Sequence, residues 1–511
     1  MSSSISQTSI PSEIITTSSS SVSHTVPNRS YMCKFIHEIL SLTDHEIERL
    51  IQSDNFHLLH DGIQKFYYEN KNLKENEINH TFEDFLHKRD FNYIHDTCSY
   101  NNKIFVDLFS NLKPDMSWNC TTTGSQLNDY SSCPFFFKSI IELKTRKLKT
   151  KDYDQIASYL TSILRYSPGR KFIIGCLTNF EETMLIMVLY DDTINQIKYI
   201  KQATVTQLTG LQILTLFLSL SDTQLGYNEK FINILSNKKI VFLHYLGRGS
   251  SSFVFYCESQ QEQLIKFVLK ISRQNCTKEK FIIEEMNKIK RKNMNLIQCM
   301  DMNFDDDYAD YLITFNLRGV KLDKLFMQRF LDDTQLLINT WQQVHLCHKI
   351  GYIHSDIRIG NMIMYENMVY IIDYSSAVQP KTPSYYQGCL STASNGILKI
   401  LGSNSEKISL YYTDDGISFL KCILLLKPYF QHYTSIIKKA IEDNMTCDIL
   451  PTYEYAMKLF KDKNIIKTLV FLEENREILS VDDLNNIIIH TLKNEKTDDY
   501  HIDEYLQKLK L

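Results

Sequence analysis

Three polar residues with fixed spacing constrain the fold of this 511-residue chain more than any other feature. Asp356 and Asn361 stand five positions apart, and Asp373 follows twelve residues later, directly behind the apolar pair Ile371-Ile372. On one loop, an Asp and an Asn at this distance can address a hydroxyl group and a metal ion, and a second Asp after a strand can bind the same metal. The spacing therefore predicts a site that handles a metal ion and a hydroxyl substrate.

A glycine-containing loop and a strand lysine precede this site. The segment Leu246–Val254 reads LGRGSSSFV, and its Gly247 and Gly249 stand where a loop can bring its backbone close to phosphates. The next predicted strand contains Val268-Leu269-Lys270, which places a lysine after alternating apolar residues. Each feature alone is weak, because turns often contain glycine and strand lysines are usually solvated. Their order along the chain gives them weight.

Together these residues resemble the protein-kinase superfamily over about residues 240–500, within a predicted domain of residues 240–511. The resemblance implies a bilobal fold that binds ATP and Mg²⁺ (or Mn²⁺) and phosphorylates Ser or Thr of a protein substrate. It also implies roles for eight residues: Asp356 as the base or the residue that orients the substrate hydroxyl, Arg358 as a γ-phosphate contact, Asn361 and Asp373 as metal ligands, and Gly247, Gly249, Val254 and Lys270 as the ATP-binding residues.

In such kinases a helical glutamate pairs with the strand lysine, here Lys270. Glu285 fits best, because Met286 and Ile289 then fall on the buried face of its helix, and Glu284 is the alternative. Asp415 is expected to be the buried acid that anchors the catalytic loop.

The sequence departs from the protein-kinase pattern at several positions. Ser252 replaces the third loop glycine, Ser375 replaces the glycine after the metal-binding Asp, and Ser355 stands where activation-controlled kinases carry an arginine. No Ala-Pro-Glu segment is visible, and Ser391–Ser394 is the candidate for its place. The phosphate and metal positions are all present, which favours a working phosphotransferase over a pseudokinase.

The first half carries a second pattern of carboxylates and a lysine. Asp115 begins a predicted strand, and Glu142 and Lys144 end the next one, two residues apart and therefore on one face. The carboxylates can bind a divalent cation, while the lysine steadies a water nucleophile and a scissile phosphate. Gln155 and Tyr159 share one face of the following helix.

The predicted elements of this half follow a recognisable order. They are a helical region over 31–96, strands at Ile104–Phe109 and Lys113–Trp118 joined by a turn at Ser110-Asn111, a loop over 119–132, a strand at Phe135–Lys144, a helix at Asp152–Tyr166, strands at Phe172–Leu177, Met184–Tyr190 and Ile197–Ile200, and a helix at Leu208–Leu220. This order resembles the PD-(D/E)XK restriction-endonuclease-like superfamily over 31–225. The resemblance implies an α/β domain with Asp115 and Glu142 as metal ligands and Lys144 and Gln155 as catalytic residues. Many members add an acid from the first helix, for which Glu83 is the candidate.

Composition limits the remaining choices. A net charge of −4 argues against a globally basic coat, but Lys144, Arg146, Lys147, Lys149 and Lys151 form a basic rim that suits either solvent or a DNA or RNA backbone. The twelve cysteines form no C-x-x-C pair, which favours reduced thiols in an intracellular protein of the cytoplasm or nucleus. No stretch reaches the roughly 18 apolar residues of a spanning helix. We expect a disordered Ser/Thr-rich tail over 1–30, without a secretory signal, and a linker over 226–239.

A nuclease-like domain followed by a kinase-like domain resembles the Crinkler-type proteins, although residues 1–30 lack their typical header. That resemblance implies an effector or toxin-like protein that acts inside host cells, reached by non-classical secretion. Two alternatives stay open: a kinase-shaped ATP sensor that regulates a nuclease, and an active kinase whose first half is a docking scaffold. The oligomeric state is open as well.

Overall fold

The computed structural model describes residues 44–89, 91, 94–97, 103–109, 114–119, 133–191, 196–203, 208–227, 230–249, 251–260, 264–290, 294–300, 306–322, 324–403, 407–443, 446–461, 463–495 and 506. These residues form two compact units. The N-terminal unit contains the described residues of 44–276 with 306–314, and the C-terminal unit those of 277–300 and 315–506. The predicted tail 1–30, the turn Ser110-Asn111, Lys113 and residues 120–132 lie outside the described residues.

A mixed six-stranded sheet forms the first part of the N-terminal unit. Its strands follow chain order: β1 Ile94–Asp96, β2 Met116–Asn119, β3 Phe137–Leu143, β4 Phe172–Thr178, β5 Thr183–Asp191 and β6 Gln196–Ala203. The helices are α1 Asp44–Ile51, α2 Asp54–Asn70, α3 Glu75–His87, α4 Lys103–Phe109, α5 Thr150–Tyr166, α6 Gly210–Leu218 and α7 Lys230–Asn237. Only β3 and β4 are parallel, and α5 is the crossover between them. This architecture has the α/β character predicted from the sequence.

Helices cover both faces of this sheet. On one face, Ile174 and Cys176 of β4 share a buried core with Phe217 of α6. On the other face α5 lies so close that a Cβ on Gly175 would be 2.9 Å from the Leu160 side chain. Because neighbouring residues of a strand point to opposite faces, β4 is apolar on both sides, as a central strand should be.

Several predicted elements are wrong in type or extent. Ile104–Phe109 was expected to be a strand but lies in helix α4, and the partner of β2 is β1, within the region predicted as helical. β2 begins at Met116, and Pro134–Phe136 forms a 3₁₀ turn before β3. The predicted linker contains α7, whose Phe231, Ile232 and Leu235 are buried.

Four further strands complete the N-terminal unit. They are β7 Ile240–Arg248, β8 Ser252–Gln260, β9 Leu264–Ser272 and β11 Leu312–Phe315, in the spatial order β11, β9, β8, β7, and the short helix α9 spans Asp306–Ala309. β7, β8 and β9 pair in antiparallel fashion.

The C-terminal unit is mostly helical. Its helices are α8 Thr277–Ile289, α10 Lys324–Asp332, α11 Thr334–Lys349, α12 Asn395–Gly402, α13 Tyr412–Leu426, α14 Gln431–Glu442, α15 Ile449–Leu459, α16 Asn464–Glu474 and α17 Val481–Asn494. Its strands are β10 Cys299–Met300, β12 Val320–Lys321, β13 Met362–Tyr365, β14 Met368–Ile371, β15 Pro383–Ser384 and β16 Ile408–Ser409. β12, β13 and β14 form one sheet, and β15 pairs with β16. α13 is buried from Thr413 to Leu424 and so forms the centre of this unit. No helix among the described residues has the length and apolar character needed to cross a bilayer.

Candidate functional sites

The loop that carries Asp356 is anchored by a buried carboxylate. Asp415, near the start of α13, accepts the backbone N–H groups of His354 at 2.7 Å and Ser355 at 2.9 Å. Ser355 has a φ of +66°, a conformation that costs a non-glycine residue on the order of 1 kcal/mol. Its hydroxyl donates to the carbonyl of Ser376 at 2.7 Å. These bonds hold a strained backbone in place, which is the role expected of Asp415.

Asn361 and Arg358 fix the carboxylate of Asp356. The Asn361 Nδ2 atom donates to Asp356 Oδ2 at 2.7 Å and to the Asp356 carbonyl at 2.9 Å. Arg358 Nε lies 3.2 Å from the same Oδ2 atom. Burial raises the pKa of Asp356, and the Arg358 charge acts in the opposite direction. Because the amide nitrogen of Asn361 faces Asp356, its oxygen is the atom left to coordinate a cation.

Asp373 lies beside Asn361 at the end of the next strand. The backbone N–H of Ile372 donates to the Asn361 carbonyl at 3.0 Å, which joins the two segments. Asp373 has φ +68° and ψ +65°, a left-handed conformation, and its Oδ1 atom accepts the Ser375 hydroxyl at 2.7 Å. Ser375, which replaces the expected glycine, therefore holds the carboxylate. Carboxylate and amide oxygens suit Mg²⁺, so the donor set of Asp373 and Asn361 fits this ion.

Three predicted nucleotide-binding residues of the N-terminal unit lie in one row across the sheet. Gly247 of β7 is the register partner of Val254 of β8, which is in turn the partner of Lys270 of β9. Gly247 has a φ of +152°, which favours glycine. The Gly249 N–H donates to the Ser252 carbonyl at 2.8 Å, so Ser252 closes the turn of the glycine-containing loop.

The expectation for Glu285 is not supported by its position on α8. Its carboxylate forms an ion pair with Lys288 on the surface, and Ile289, expected to be buried, is 48% exposed. Glu284 is exposed too. The buried acid of this helix is Glu279, which is 1% exposed and shares the buried face with Ile283 and Met286. The glutamate that α8 buries is thus Glu279 and neither of the two expected from the sequence.

The structure brings Asp115, Glu142 and Lys144 together. The antiparallel register of β2 and β3 places Asp115 opposite Glu142, and the Asp115 N–H donates to Glu142 Oε2 at 3.1 Å. The Lys144 ammonium lies 2.8 Å from Glu142 Oε1, 3.3 Å from Asp115 Oδ2 and 2.8 Å from Glu75 Oε1. Asn79 donates to Asp115 Oδ1 at 3.1 Å and orients this carboxylate.

Asp115, Glu142, Lys144 and Glu75 form what we call the carboxylate–lysine site. Burial and charge determine the protonation of its side chains. Burial raises the pKa of Glu142 to about 8, and the Asp115 charge adds to that shift. Burial also raises the pKa of Asp115. Burial acts to lower the pKa of Lys144, but the charges of Glu142 and Asp115 outweigh it and raise that pKa. Three carboxylates share one ammonium, and the excess negative charge favours a retained proton or a bound cation.

If this site binds a metal ion, the protein ligands are therefore the two carboxylates of Asp115 and Glu142. Among the described residues, no group of three or more His, Cys, Asp or Glu side chains is arranged to hold a metal. A divalent cation at Asp115 and Glu142 would complete its shell with water or phosphate oxygens, as Mg²⁺ commonly does.

Helix α5 and helix α3 supply the edges of this site. Gln155 Nε2 donates to the Tyr159 hydroxyl at 2.7 Å, and the charges of the site act on Tyr159, so the helix face predicted from the sequence does border it. The acid from α3 is Glu75, not Glu83, which instead lies 3.8 Å from both His80 and His87. In the basic rim, Arg146 is paired with Asp152 at 2.6 Å and 2.7 Å.

Part of the chain that includes Asp356, Asn361 and Asp373 is similar to known proteins. Residues 240–397 match the family described as protein kinase domain. The chain is similar to the dual specificity protein kinase Ttk of Danio rerio, 24% identical over 275 residues, and to TTK of Mus musculus, 23% identical over 224 residues. These matches cover 49% and 39% of this chain but only 27% and 25% of the relatives, so the chain spans about a quarter of their length.

A solved structure gives a further likeness, the PK-1 kinase of Cydia pomonella granulovirus. It is 18% identical, with a TM-score of 0.30, and the match covers 39% of this chain and 75% of that chain. The family match at residues 240–397 lies within the range 240–511 that the sequence predicts to be a kinase-like domain. The matched range includes strands of the N-terminal unit and the loops of Asp356 and Asp373 in the C-terminal unit.

Proposed function

We propose that this chain is an ATP- and Mg²⁺-dependent protein kinase of the Ser/Thr type. The observation that carries the proposal is the arrangement of Asp356, Asn361 and Asp373 inside a matched kinase domain. Asp356 is held by an amide and a guanidinium and is suited to orient and deprotonate a substrate hydroxyl. Mg²⁺, when bound, neutralises charge on the transferred phosphate. Asn361 and Asp373 would hold it, with Lys270 and the glycine-containing loop as ATP contacts.

Radiolabelled ATP tests this proposal. The full chain should transfer label from [γ-³²P]ATP to itself or to a general protein substrate in the presence of Mg²⁺. Asp356→Asn should reduce the rate about 10²- to 10⁴-fold, the range expected for losing a general base. Asp443→Asn makes the same substitution at an exposed residue of the same unit. It is the matched control and should leave the rate of transfer unchanged. ATP binding without any transfer would favour the ATP-sensor alternative.

The carboxylate–lysine site supports a second activity, metal-dependent cleavage of a nucleic-acid phosphodiester. It depends on the convergence of Asp115, Glu142, Lys144 and Glu75. In this proposal Lys144 holds the attacking water and the scissile phosphate, and Gln155 with Tyr159 borders the reacting group. Lys147, Lys149 and Lys151 of the rim are exposed, and in this proposal they contact the phosphate backbone of DNA or RNA.

Cleavage assays separate this activity from a scaffold role. The full chain with Mg²⁺ or Mn²⁺ should cut plasmid DNA or a structured RNA, and Lys144→Ala should abolish cutting. Lys171→Ala removes an exposed lysine of the same unit and should leave cutting unchanged. If the nucleic acid stays uncut both with and without the metal ion, the docking-scaffold alternative is favoured. Both activities in one chain would suit the effector or toxin-like role that the Crinkler resemblance implies.

A further inference from the structure

Helix α5 joins the carboxylate–lysine site to the glycine-containing loop within the N-terminal unit. Gln155 and Tyr159 lie at its site end, and Tyr166 is its last residue. Tyr166 is 5% exposed, and its hydroxyl donates to the carbonyl of Gly249 at 3.3 Å while accepting from Arg248 Nη1 at 3.4 Å. One hydroxyl therefore contacts two consecutive residues of the loop proposed to bind phosphate.

The ring of Tyr166 holds the same loop from its other strand. It packs edge-to-face on Phe253 of β8, with ring centroids 4.8 Å apart and planes at 87°. Phe253 is the register partner of Arg248, so ring and hydroxyl contact both strands beside the loop. Burial of a tyrosine ring alone would not require these contacts, so we take them as a restraint on the loop.

A second clamp lies at the end of the strand that carries Lys270. Arg273, three residues later and 4% exposed, donates from Nη1 to the carbonyl of Ser167 at 2.7 Å and to that of Arg170. Its backbone N–H donates to the carbonyl of Ser251 at 2.8 Å. Arg273 thus connects the turn that follows α5 to the glycine-containing loop.

A third connection begins at Tyr159, beside the carboxylate–lysine site. The Tyr159 ring contacts Phe109 of α4 edge-to-face at 5.3 Å, and Asp107 of α4 accepts the Tyr245 hydroxyl of β7 at 2.7 Å. Tyr245 lies two residues before Gly247. All three connections end on the loop or its flanking strands, not on remote parts of the sheet.

We propose that Tyr166 is a positioning residue for ATP, and that through it α5 makes ATP binding depend on the state of the carboxylate–lysine site. The inference rests on the proposed kinase function. A glycine-containing loop is intrinsically mobile, and a fixed carbonyl at Gly249 lowers the ordering cost of binding the phosphates. Tyr159 beside the carboxylate–lysine site and Tyr166 beside the loop lie on the same helix, so a displacement of α5 at the site moves the hydroxyl that holds the Gly249 carbonyl.

Steady-state kinetics of the full chain with Mg²⁺ test the positioning role. Tyr166→Phe should raise KM for ATP roughly three- to tenfold, because one or two hydrogen bonds are lost. Its kcat should stay within about twofold of the wild-type value. Arg248→Ala, an exposed change that removes the other bond, should shift KM in the same direction. Tyr68→Phe is the matched control, because Tyr68 is 60% exposed on α2. A purely structural role would lower the unfolding temperature without moving KM, and an unchanged KM in folded Tyr166→Phe would overturn the inference.

A double-mutant cycle tests the coupling. Glu142→Gln should change the affinity for a fluorescent ATP analogue when Tyr166 is present and leave it unchanged in Tyr166→Phe. Additive effects would overturn the coupling. A wild-type chain that binds no analogue would contradict the kinase proposal itself, which separates the two failures.

Discussion

Glu142 and Asp356 are both buried carboxylates, but their partners differ. Asp356 has a guanidinium and an amide at hydrogen-bond distance, whereas Glu142 shares one ammonium with two other acids. Burial raises the pKa of Glu142 to about 8, so this group is largely protonated at neutral pH in the metal-free protein. Because its folded pKa lies above its unfolded value, its contribution to stability is present at low pH and is lost as pH rises through about 8.

Metal binding at Glu142 should have the opposite pH dependence. A cation must displace the retained proton, so the Mn²⁺ affinity of the full chain should rise about tenfold per pH unit between roughly pH 6 and 8. Titration followed by electron paramagnetic resonance, without nucleotide, measures this. Glu142→Gln should weaken Mn²⁺ binding and make the affinity independent of pH. A pH-independent affinity would show that Glu142 is ionised without metal.

Asp415 holds the backbone of the loop that carries Asp356. Asp415→Asn keeps the shape of the side chain but weakens acceptance of the His354 and Ser355 N–H groups. The strained Ser355 backbone can then relax, and we expect kcat for phosphoryl transfer to fall about 10- to 100-fold through misplacement of Asp356. Full kcat with a lowered unfolding temperature would contradict this, and Asp443→Asn again provides the control.

The positions of candidate site residues were predictable where spacing alone defines them. Glu142 and Lys144 share a strand face by alternation, and the structure brings both to Asp115. Glu75 could not be chosen over Glu83, because both lie on α3 and only the packing decides which end of the helix reaches the lysine. The burial of Glu279 was not predicted for a related reason: helical spacing defines possible faces of α8, and more than one of them contains a glutamate.

At the level of elements, the packing of α5 on β4 depends on Gly175. Gly175→Ala would place a Cβ 2.9 Å from Leu160 and 3.2 Å from the Ile140 carbonyl, so we expect a loss of about 1–3 kcal/mol in unfolding free energy. Chemical denaturation of the full chain measures it. Gly402→Ala is the control, because nothing lies within 4 Å of its added methyl. Rescue by Leu160→Val would attribute the loss to this contact, and a neutral Gly175→Ala would contradict the predicted crowding.

Element types were predictable for long periodic segments and not for short apolar ones. Helix α5, with buried Ile156, Leu160 and Ile163, appears within two residues of its predicted start. The run IFVDLF at Ile104–Phe109 fits either a strand or one face of a short helix, and contacts to α5 and β7 stabilise the helix. Short segments take the structure that their neighbours impose.

At the scale of the whole molecule, the kinase domain and the compact units have different boundaries. The family match begins at residue 240, but strands β7–β9 belong to the same compact unit as the six-stranded sheet. Aromatic packing explains this: Phe135 contacts Phe242 and Phe255 at 6.2 Å and 6.1 Å between ring centroids, and Tyr166 packs on Phe253. Sequence motifs mark the family boundary and cannot show such packing.

A fragment of residues 240–511 should therefore be less stable than the full chain, although it contains the whole predicted kinase domain. Its β7–β8 strands would expose Phe242, Phe253 and Phe255, each worth about 1.5–3 kcal/mol of burial. We expect a lower unfolding temperature or aggregation, measured by thermal unfolding and size-exclusion chromatography. In the full chain, Phe135→Ala should cost about 3–5 kcal/mol, whereas Phe281→Ala, at a residue that is 47% exposed, should cost far less. A fragment as stable as the full chain would mean that the aromatic interface contributes little, and that the two halves fold independently at the predicted boundary.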